Sequence, residues 1–290
     1  MKKLLISLFF ILIIQNPVFA IKIGLQTSVI STKVGASTDA KIIDVRTNKT
    51  LYTLEDMRSY EFKAYKNLIA FKFNNDYYNL KTNQIAIIPT SSTGFVNGKS
   101  RWYRGELRII NINGRLNVIN KLNIEDYIRG VVPCEMPSSW NYEAHKAQAI
   151  AARSYALANL GKRASQGYDL KDTPEDQAYG GATSEKINTN RAVKDSEGIV
   201  MIYDLKIIPA YYSASAGGQT KNAGDVWTRD LPYIKSVPSY DRGIKKNGHG
   251  IGMSQHGANN LANSGYNAYQ ILHHFYKNIK FARIKQDYYK

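Results

Sequence analysis

The chain has 290 residues, one cysteine and a formal net charge of +16. The lone thiol, Cys134, excludes an internal disulfide and leaves no Cys pair for a structural zinc cage; a chain of this length buries an adequate core without either. The positive residues are spread along the chain and no nucleic-acid-binding module is present, so the charge points to anionic wall polymers or membrane surfaces as partners and not to nucleic acid.

Residues 1–20 read as a secretory signal. Lys2 and Lys3 precede an apolar run from Leu4 to Ile14 that is too short for a comfortable membrane span, and Val18-Phe19-Ala20 places small residues where a signal peptidase reads. Cleavage after Ala20 is expected, releasing an exported protein into the periplasm, the cell wall or the extracellular space. If the segment stays uncleaved, it is the only membrane contact expected. No Cys follows the run, which argues against a lipoprotein.

Residues 21–120 read as a β-rich subdomain. Ile21–Ile23, Ala40–Val45, Ala70–Phe73 and Leu107–Ile112 carry β-branched or aromatic residues, separated by turn signals such as Asn74-Asn75-Asp76 and Asn97-Gly98. Asn113-Gly114, between Arg108–Ile112 and Leu116–Ile119, predicts a type I′ hairpin. Helical signals begin at Asn123, which can cap a short helix over Ile124–Arg129, with Gly130 as its stop. Val131–Pro137 then reads as a stiff connector, because Pro133 and Pro137 bias Val132 and Met136 away from helix. Glu135 is held inside it, and rigidity is what a positioned acid needs.

Asn141 is the expected cap of a helix over Tyr142–Leu160, ended by Gly161. Ala144, Ala147, Ala151, Ser154 and Ala158 form a stripe of small residues at helical spacing. Lys146 and Arg153 share a face seven residues apart, and on periodicity alone they read as solvated cations. From Gly198 the pattern returns to strands, with a hairpin of Gly198–Tyr203 and Ile207–Tyr212. A small-residue loop, Ser213–Thr220, follows. Gly248–Ala258 is a Gly-rich loop entering a helix that Ser254 can cap. No low-complexity linker interrupts the chain. The predicted fold class is α+β: the β-rich part packed on a mixed α/β part, residues 121–285, with a central Ala-rich helix, as one continuous domain. Tyrosine leads the aromatics with 21 residues; most suit half-buried strand positions, although their flat faces with polar edges also suit sugar rings.

Four blocks, in order, carry a family resemblance. They are Trp102-Tyr103-Arg104-Gly105; Leu122–Leu160, with Glu135-Met136-Pro137 and the helix Glu143-Ala-His-Lys-Ala-Gln-Ala-Ile-Ala-Ala-Arg153; Tyr212–Thr220 followed by Trp227 and Leu231-Pro232-Tyr233; and His249-Gly-Ile-Gly-Met-Ser-Gln-His-Gly-Ala258. Together they resemble the SpoIID/LytB family of peptidoglycan lytic transglycosylases and amidase enhancers. Cys134 departs from the pattern, standing where relatives often carry Gly or a small polar residue. Some relatives are thought to hold zinc, and this sequence lacks the ligand pattern, so no metal and no cofactor are expected.

The resemblance implies that Glu135 is the catalytic acid/base, that Lys146 and Arg153 line a groove, and that Tyr212, Ser213, Ser215, His249 and Gln255 contact substrate or support the site. It implies cleavage of glycan strands between N-acetylmuramic acid and N-acetylglucosamine with formation of a 1,6-anhydro ring, which needs one carboxyl group because the substrate supplies the second nucleophile. Burial near Met136 and Trp140 is expected to keep Glu135 protonated. Three rivals remain. One is a non-catalytic enhancer that grips glycan and activates a cell-wall amidase. Another is a hydrolase that pairs Glu135 with Glu125, Asp126, Glu143, Asp172, Asp176 or Asp225. The last is a thiol enzyme using Cys134 with His145, His249 or His256.

Overall fold

A computed structural model describes residues 20–228 and 230–284. The expected signal segment lies outside the described residues except for Ala20. That residue opens β1 (Ala20–Val29), which is followed by β2 (Ser31–Ala36), β3 (Ala40–Asp44), β4 (Thr50–Leu54), β5 (Ser59–Tyr65), β6 (Leu68–Phe73), β7 (Asp76–Asn79), β8 (Gln84–Pro89), β9 (Val96–Gly98), β10 (Arg101–Tyr103), β11 (Glu106–Ile112) and β12 (Arg115–Asn123). After them come α1 (Ile124–Glu135), α2 (Tyr142–Ala158), β13 (Leu170–Lys171), α3 (Ile187–Asp195), β14 (Ile199–Tyr203), β15 (Lys206–Ile207), β16 (Tyr212–Ser213), β17 (Met253–Ser254), α4 (Gln255–Asn263), α5 (Ala268–Phe275) and β18 (Lys280–Arg283). The class is α+β, as the sequence indicates.

The strands before α1, joined at one edge by the later β13, form two sheets, in the orders β13-β1-β12-β11-β8-β3-β4 and β10-β9-β2-β5-β6-β7. Period-two alternation drives them together. In β11, Leu107, Ile109 and Asn111 turn inward while their neighbours are only half-buried. Asn113 and Gly114 join β11 to β12 with φ of 51° and 77°, the two positive values that a type I′ turn requires. The larger core lies between the sheets and continues beneath α1 and one side of α2, reaching Ala149, Ala152 and Tyr155. A second core begins on the other side of α2, at Ala144, Ala147, Ile150 and Ala151, and is completed by α4, α5 and β14. The stripe of small residues faces the second core through Ala144, Ala147 and Ala151, and Ala149, Ala152 and Ala156 face the first, so neighbours close on this helix from two directions.

Two local expectations are corrected. The first concerns α1, which does not stop at Gly130 but runs through Pro133 to Glu135. Gly130 is needed there for close approach: a β-carbon would come within 2.5 Å of the Tyr179 ring. Its carbonyl accepts hydrogen bonds from the Gly180 N–H (3.1 Å) and the Ser184 hydroxyl (3.1 Å). Pro133 removes one helical N–H but sits in the last turn, where the chain is about to leave the helix. Only Met136, just before Pro137, takes the expected extended conformation, with φ −132° and ψ 137°. The second concerns the later hairpin, whose returning arm ends at Ile207 just before Pro209, so that Tyr212 joins a different ladder.

Arg153 is a further correction. It is neither a solvated cation nor a groove residue, because its side chain is 0% exposed. Its guanidinium grips Glu125 of α1 through two parallel bonds, Nε to Oε1 (2.7 Å) and Nη2 to Oε2 (2.6 Å), and Nη1 donates to the Ile199 carbonyl (3.0 Å). The Glu125 carboxylate also accepts the Gly198 N–H (3.1 Å). One buried pair thus locks α1, α2 and the start of β14. Removing either partner strands a buried charge. Arg153→Met and Glu125→Leu should each lower stability by about 3–5 kcal/mol in equilibrium urea unfolding. The double variant should lose less than the sum of the two, because it leaves no orphaned charge.

Candidate active site

Glu135 ends α1 and opens onto a cleft of about 550 Å³. Around it the cleft is lined by Cys134, Tyr155, Ala178, Tyr211–Ala214, Trp227, Asn247–His249 and Gln255, with Lys162, Glu175 and Asp176 also on its wall. Its far side is assembled by a two-residue parallel ladder, in which Tyr212 pairs with Met253 and Ser213 with Ser254. Gly252 makes the ladder possible, since its φ is +70° and a β-carbon there would lie 2.0 Å from the Tyr211 carbonyl oxygen. Ser254 caps α4, its hydroxyl accepting the Gly257 N–H (3.0 Å), and this fixes Gln255 at the first helical position.

Gln255 donates through Nε2 to Glu135 Oε2 (3.0 Å), and the Ala178 N–H donates to Glu135 Oε1 (2.7 Å). Burial raises the Glu135 pKa above the ordinary carboxylate range, and these two donors, with a hydrogen bond from Tyr212, only partly oppose it. The negative end of the α1 dipole acts in the same direction as burial. Met136 is buried beneath the site, whereas Trp140 packs edge-on against His256 and does not line the cleft.

The Tyr212 hydroxyl is oriented from behind. Gln177 Nε2 donates to Tyr212 Oη (2.8 Å) and to the Ala152 carbonyl (3.3 Å), while Tyr127 Oη donates to Gln177 Oε1 (3.1 Å). A carbonyl can only accept, so it fixes which end of the Gln177 amide is the NH₂. Tyr212 must then accept from Gln177, and its own proton is left for Glu135. On the other flank, His249 Nδ1 accepts the Ile251 N–H (2.9 Å), which places the imidazole proton on Nε2, toward the Tyr212 backbone. Burial, helped by the nearby Lys246 charge, lowers the His249 pKa and keeps the ring neutral.

Of the residues singled out in the sequence, the fold brings Glu135, Tyr212, Ser213, His249 and Gln255 to one cleft and leaves three outside it. Arg153 is sealed in its pair with Glu125. Lys146 lies elsewhere on α2, bridged to Glu143 (3.2 Å) and set over the Tyr142 ring. Ser215 is 1% exposed and donates to the Lys245 carbonyl (2.6 Å), stabilising a loop and not facing the cleft.

Gln177, Ala178 and Asp241 were not anticipated. Asp241 is buried, and its carboxylate accepts the N–H groups of Ala216 (2.6 Å) and Gly218 (2.7 Å) and the hydroxyls of Ser254 (2.7 Å) and Ser239. Burial would raise its pKa, but these donors hold it lowered. It ties the loop after Tyr212 to the cap of α4. The one available signal was a single acid in a basic, Gly-rich stretch; Gln177 and Ala178 carry none.

The rival constellations fare differently. Glu125, Asp126, Glu143, Asp172 and Asp225 do not line the cleft. Asp176 does, yet its carboxylate is bound by Lys162 (2.7 Å), Arg163 and the Lys171 N–H (2.9 Å). Burial alone would raise the Asp176 pKa, but those partners lower it. Glu175 is bridged to Lys171 (2.6 Å). Among the three histidines, only His249 shares the cleft with Cys134, and both of its ring nitrogens face backbone partners. Among the described residues, no three His, Cys, Asp or Glu side chains converge to hold a metal ion.

Residues 112–203 match the profile of the family described as SpoIID, Stage II sporulation protein, which supports assigning this part of the chain to that family. Its relatives include an uncharacterized protein of Brachyspira hyodysenteriae, 32% identical over 209 residues that cover 68% of this chain and 56% of that protein. The amidase enhancer of Bacillus subtilis is 42% identical over 107 residues, covering 37% of this chain and 14% of the enhancer. Stage II sporulation protein D of Bacillus amyloliquefaciens is 35% identical over 137 residues, covering 42% and 40%. The chain thus spans from 14% to 56% of the length of these relatives.

The perturbed carboxyl makes a signed prediction. Folded Glu135 holds its proton at pH values where an unfolded glutamate has lost it. Its contribution to stability is therefore complete in acid and is lost as pH rises through the raised pKa. Glu135→Gln should remove that dependence. Its melting temperature should match the parent in acid and exceed it increasingly toward neutral pH, as scanning calorimetry across pH would show. Tyr212→Phe deletes a donor to the charged form, so it should raise the Glu135 titration midpoint further, as read by carbon NMR of labelled glutamate side chains.

Proposed function

We propose that this chain is an exported peptidoglycan lytic transglycosylase with Glu135 as its single general acid/base. The observation that carries the reading is one burial-shifted carboxyl on a cleft whose other carboxylates are tied up by cations. Protonated Glu135 would donate to the glycosidic oxygen linking N-acetylmuramic acid to N-acetylglucosamine. As the C1–O bond breaks, C1 gains oxocarbenium character. Glu135, now a carboxylate, would take the proton from the muramoyl C6 hydroxyl while O6 bonds to C1 and closes the 1,6-anhydro ring. The attack is intramolecular and benefits from high effective molarity, without a bound water. The donors from Gln255, Tyr212 and Ala178 suit the moment after proton transfer, when the carboxylate must exist in a buried place.

A second reading is a glycan-gripping enhancer of a cell-wall amidase; the similarity to the Bacillus subtilis amidase enhancer favours it. Product chemistry separates the two. Peptidoglycan glycan strands, intact and peptide-stripped, incubated with wild type should yield anhydro-muramoyl ends by mass spectrometry. Glu135→Gln should reduce that yield by about 10²–10⁴-fold. Binding of strands by both proteins with no product from either would select the enhancer, and new reducing ends without anhydro ends would select a hydrolase.

A further inference from the structure

We propose that a second hollow beside the Glu135 cleft is a sugar subsite, in which Trp227 packs against the apolar face of an uncharged N-acetylhexosamine ring of the strand held in the cleft. This deepens the glycan reading above and rests on it. The hollow measures about 530 Å³ and is lined by Pro209, Tyr211, Val226, Trp227, Thr228 and Leu231. Tyr211 and Trp227 also line the cleft, so the two spaces adjoin through one aromatic partition. A linear polymer gripped at Glu135 has to leave the cleft along its length, and this partition is where a neighbouring receptive space begins.

The chemistry of the two spaces differs in a way that suits successive parts of one strand. The cleft carries Glu135, Glu175, Asp176, Lys162 and His249, whereas among the described residues the lining of the second hollow holds no ionisable acid or base apart from the Tyr211 phenol. It offers an indole, a phenol and aliphatic groups to the C–H face of a pyranose and to an N-acetyl methyl, with the Thr228 hydroxyl as a polar contact. Such an apolar lining with few polar groups is the usual make-up of a small-molecule pocket. The Val226 side chain beside the indole is 39% exposed.

The platform is held before any ligand arrives. The Trp227 ring lies 4.5 Å from that of Tyr211 and 5.4 Å from that of His249, and its backbone N–H donates to the Ala223 carbonyl (2.9 Å). A ring fixed in this way loses little freedom on binding, which favours affinity.

The chain has three tryptophans, so Trp102→Phe with Trp140→Phe leaves Trp227 as the sole indole. Adding Glu135→Gln prevents turnover during titration. Peptide-stripped glycan strands of two and of at least four sugars serve as probes, with binding measured separately by calorimetry. Longer strands should change Trp227 emission clearly more than the disaccharide does. Trp227→Ala, in the Glu135→Gln background with the other tryptophans intact, should weaken long-strand binding by about tenfold or more, and by clearly more than it weakens disaccharide binding. This second arm needs no single-tryptophan protein and stands if that variant does not fold. Strands bound with Trp227 emission unchanged, or an equal loss for short and long strands in Trp227→Ala, would overturn the subsite while leaving the cleft assignment intact. A Trp227 response to free stem peptide alone would also overturn it. Absence of strand binding altogether would overturn the glycan reading and the subsite with it.

Discussion

The buried pair of Glu125 and Arg153 is the constraint on which the rest of the site depends. Glu125 occupies the first turn of α1 and Glu135 its last residue, so the grip at one end of the helix fixes the reach of the other. The same guanidinium holds the Ile199 carbonyl, and so registers β14 against α2. A buried ion pair contributes little net stability compared with well-packed apolar groups, because desolvation consumes most of the attraction. What it supplies here is definition: α2, whose packed faces are built largely of alanine, is kept from sliding on α1.

Around Glu135 two requirements compete. Burial favours the neutral acid, while hydrogen bonds from Gln255, Ala178 and Tyr212 favour the anion. Either alone would give a carboxyl stuck in one state. Together they leave a group whose protonated form is favoured more than in a free glutamate and whose charged form is still accommodated. The supporting residues divide this work without touching the carboxyl themselves. Gln177 sets the direction of the Tyr212 hydroxyl, His249 steadies the Tyr212 backbone, and Asp241 joins the following loop to the cap that aims Gln255.

Much of this was legible locally. The alternation in β11, the Asn113-Gly114 turn and the caps at Asn141 and Ser254 are short-range features, and the chain adopts them. The site residues that converge on the cleft lie in the motif blocks. What could not be read depends on partners distant in sequence. Gly130 and Pro133 look like helix stops, and become tolerable only because Tyr179 fills the space and Gly180 supplies a donor. Arg153 shows the spacing of a surface cation, and nothing near it reveals that Glu125 will take both of its forks. Gln177 is a single amide in a loop, and its meaning comes from Tyr127, Ala152 and Tyr212, which arrive from three other segments.

The short ladder of β16 and β17 has an architectural consequence. The chain leaves this ladder after Ser213 and rejoins it at Met253, and the two points are neighbours in it. Everything between them is one excursion, closed at its base. Its exposed stretches can grow, shrink or change composition while Tyr212, Ser213 and Gln255 stay where they are, as long as Asp241, His249 and the buried Ile234 and Ile251 are kept, since loop length adds little to the cost of closure. The excursion carries the Gly-rich rim of the cleft and Trp227 as well, so the surfaces that meet a ligand beyond Glu135 can diversify around an unmoved reaction centre.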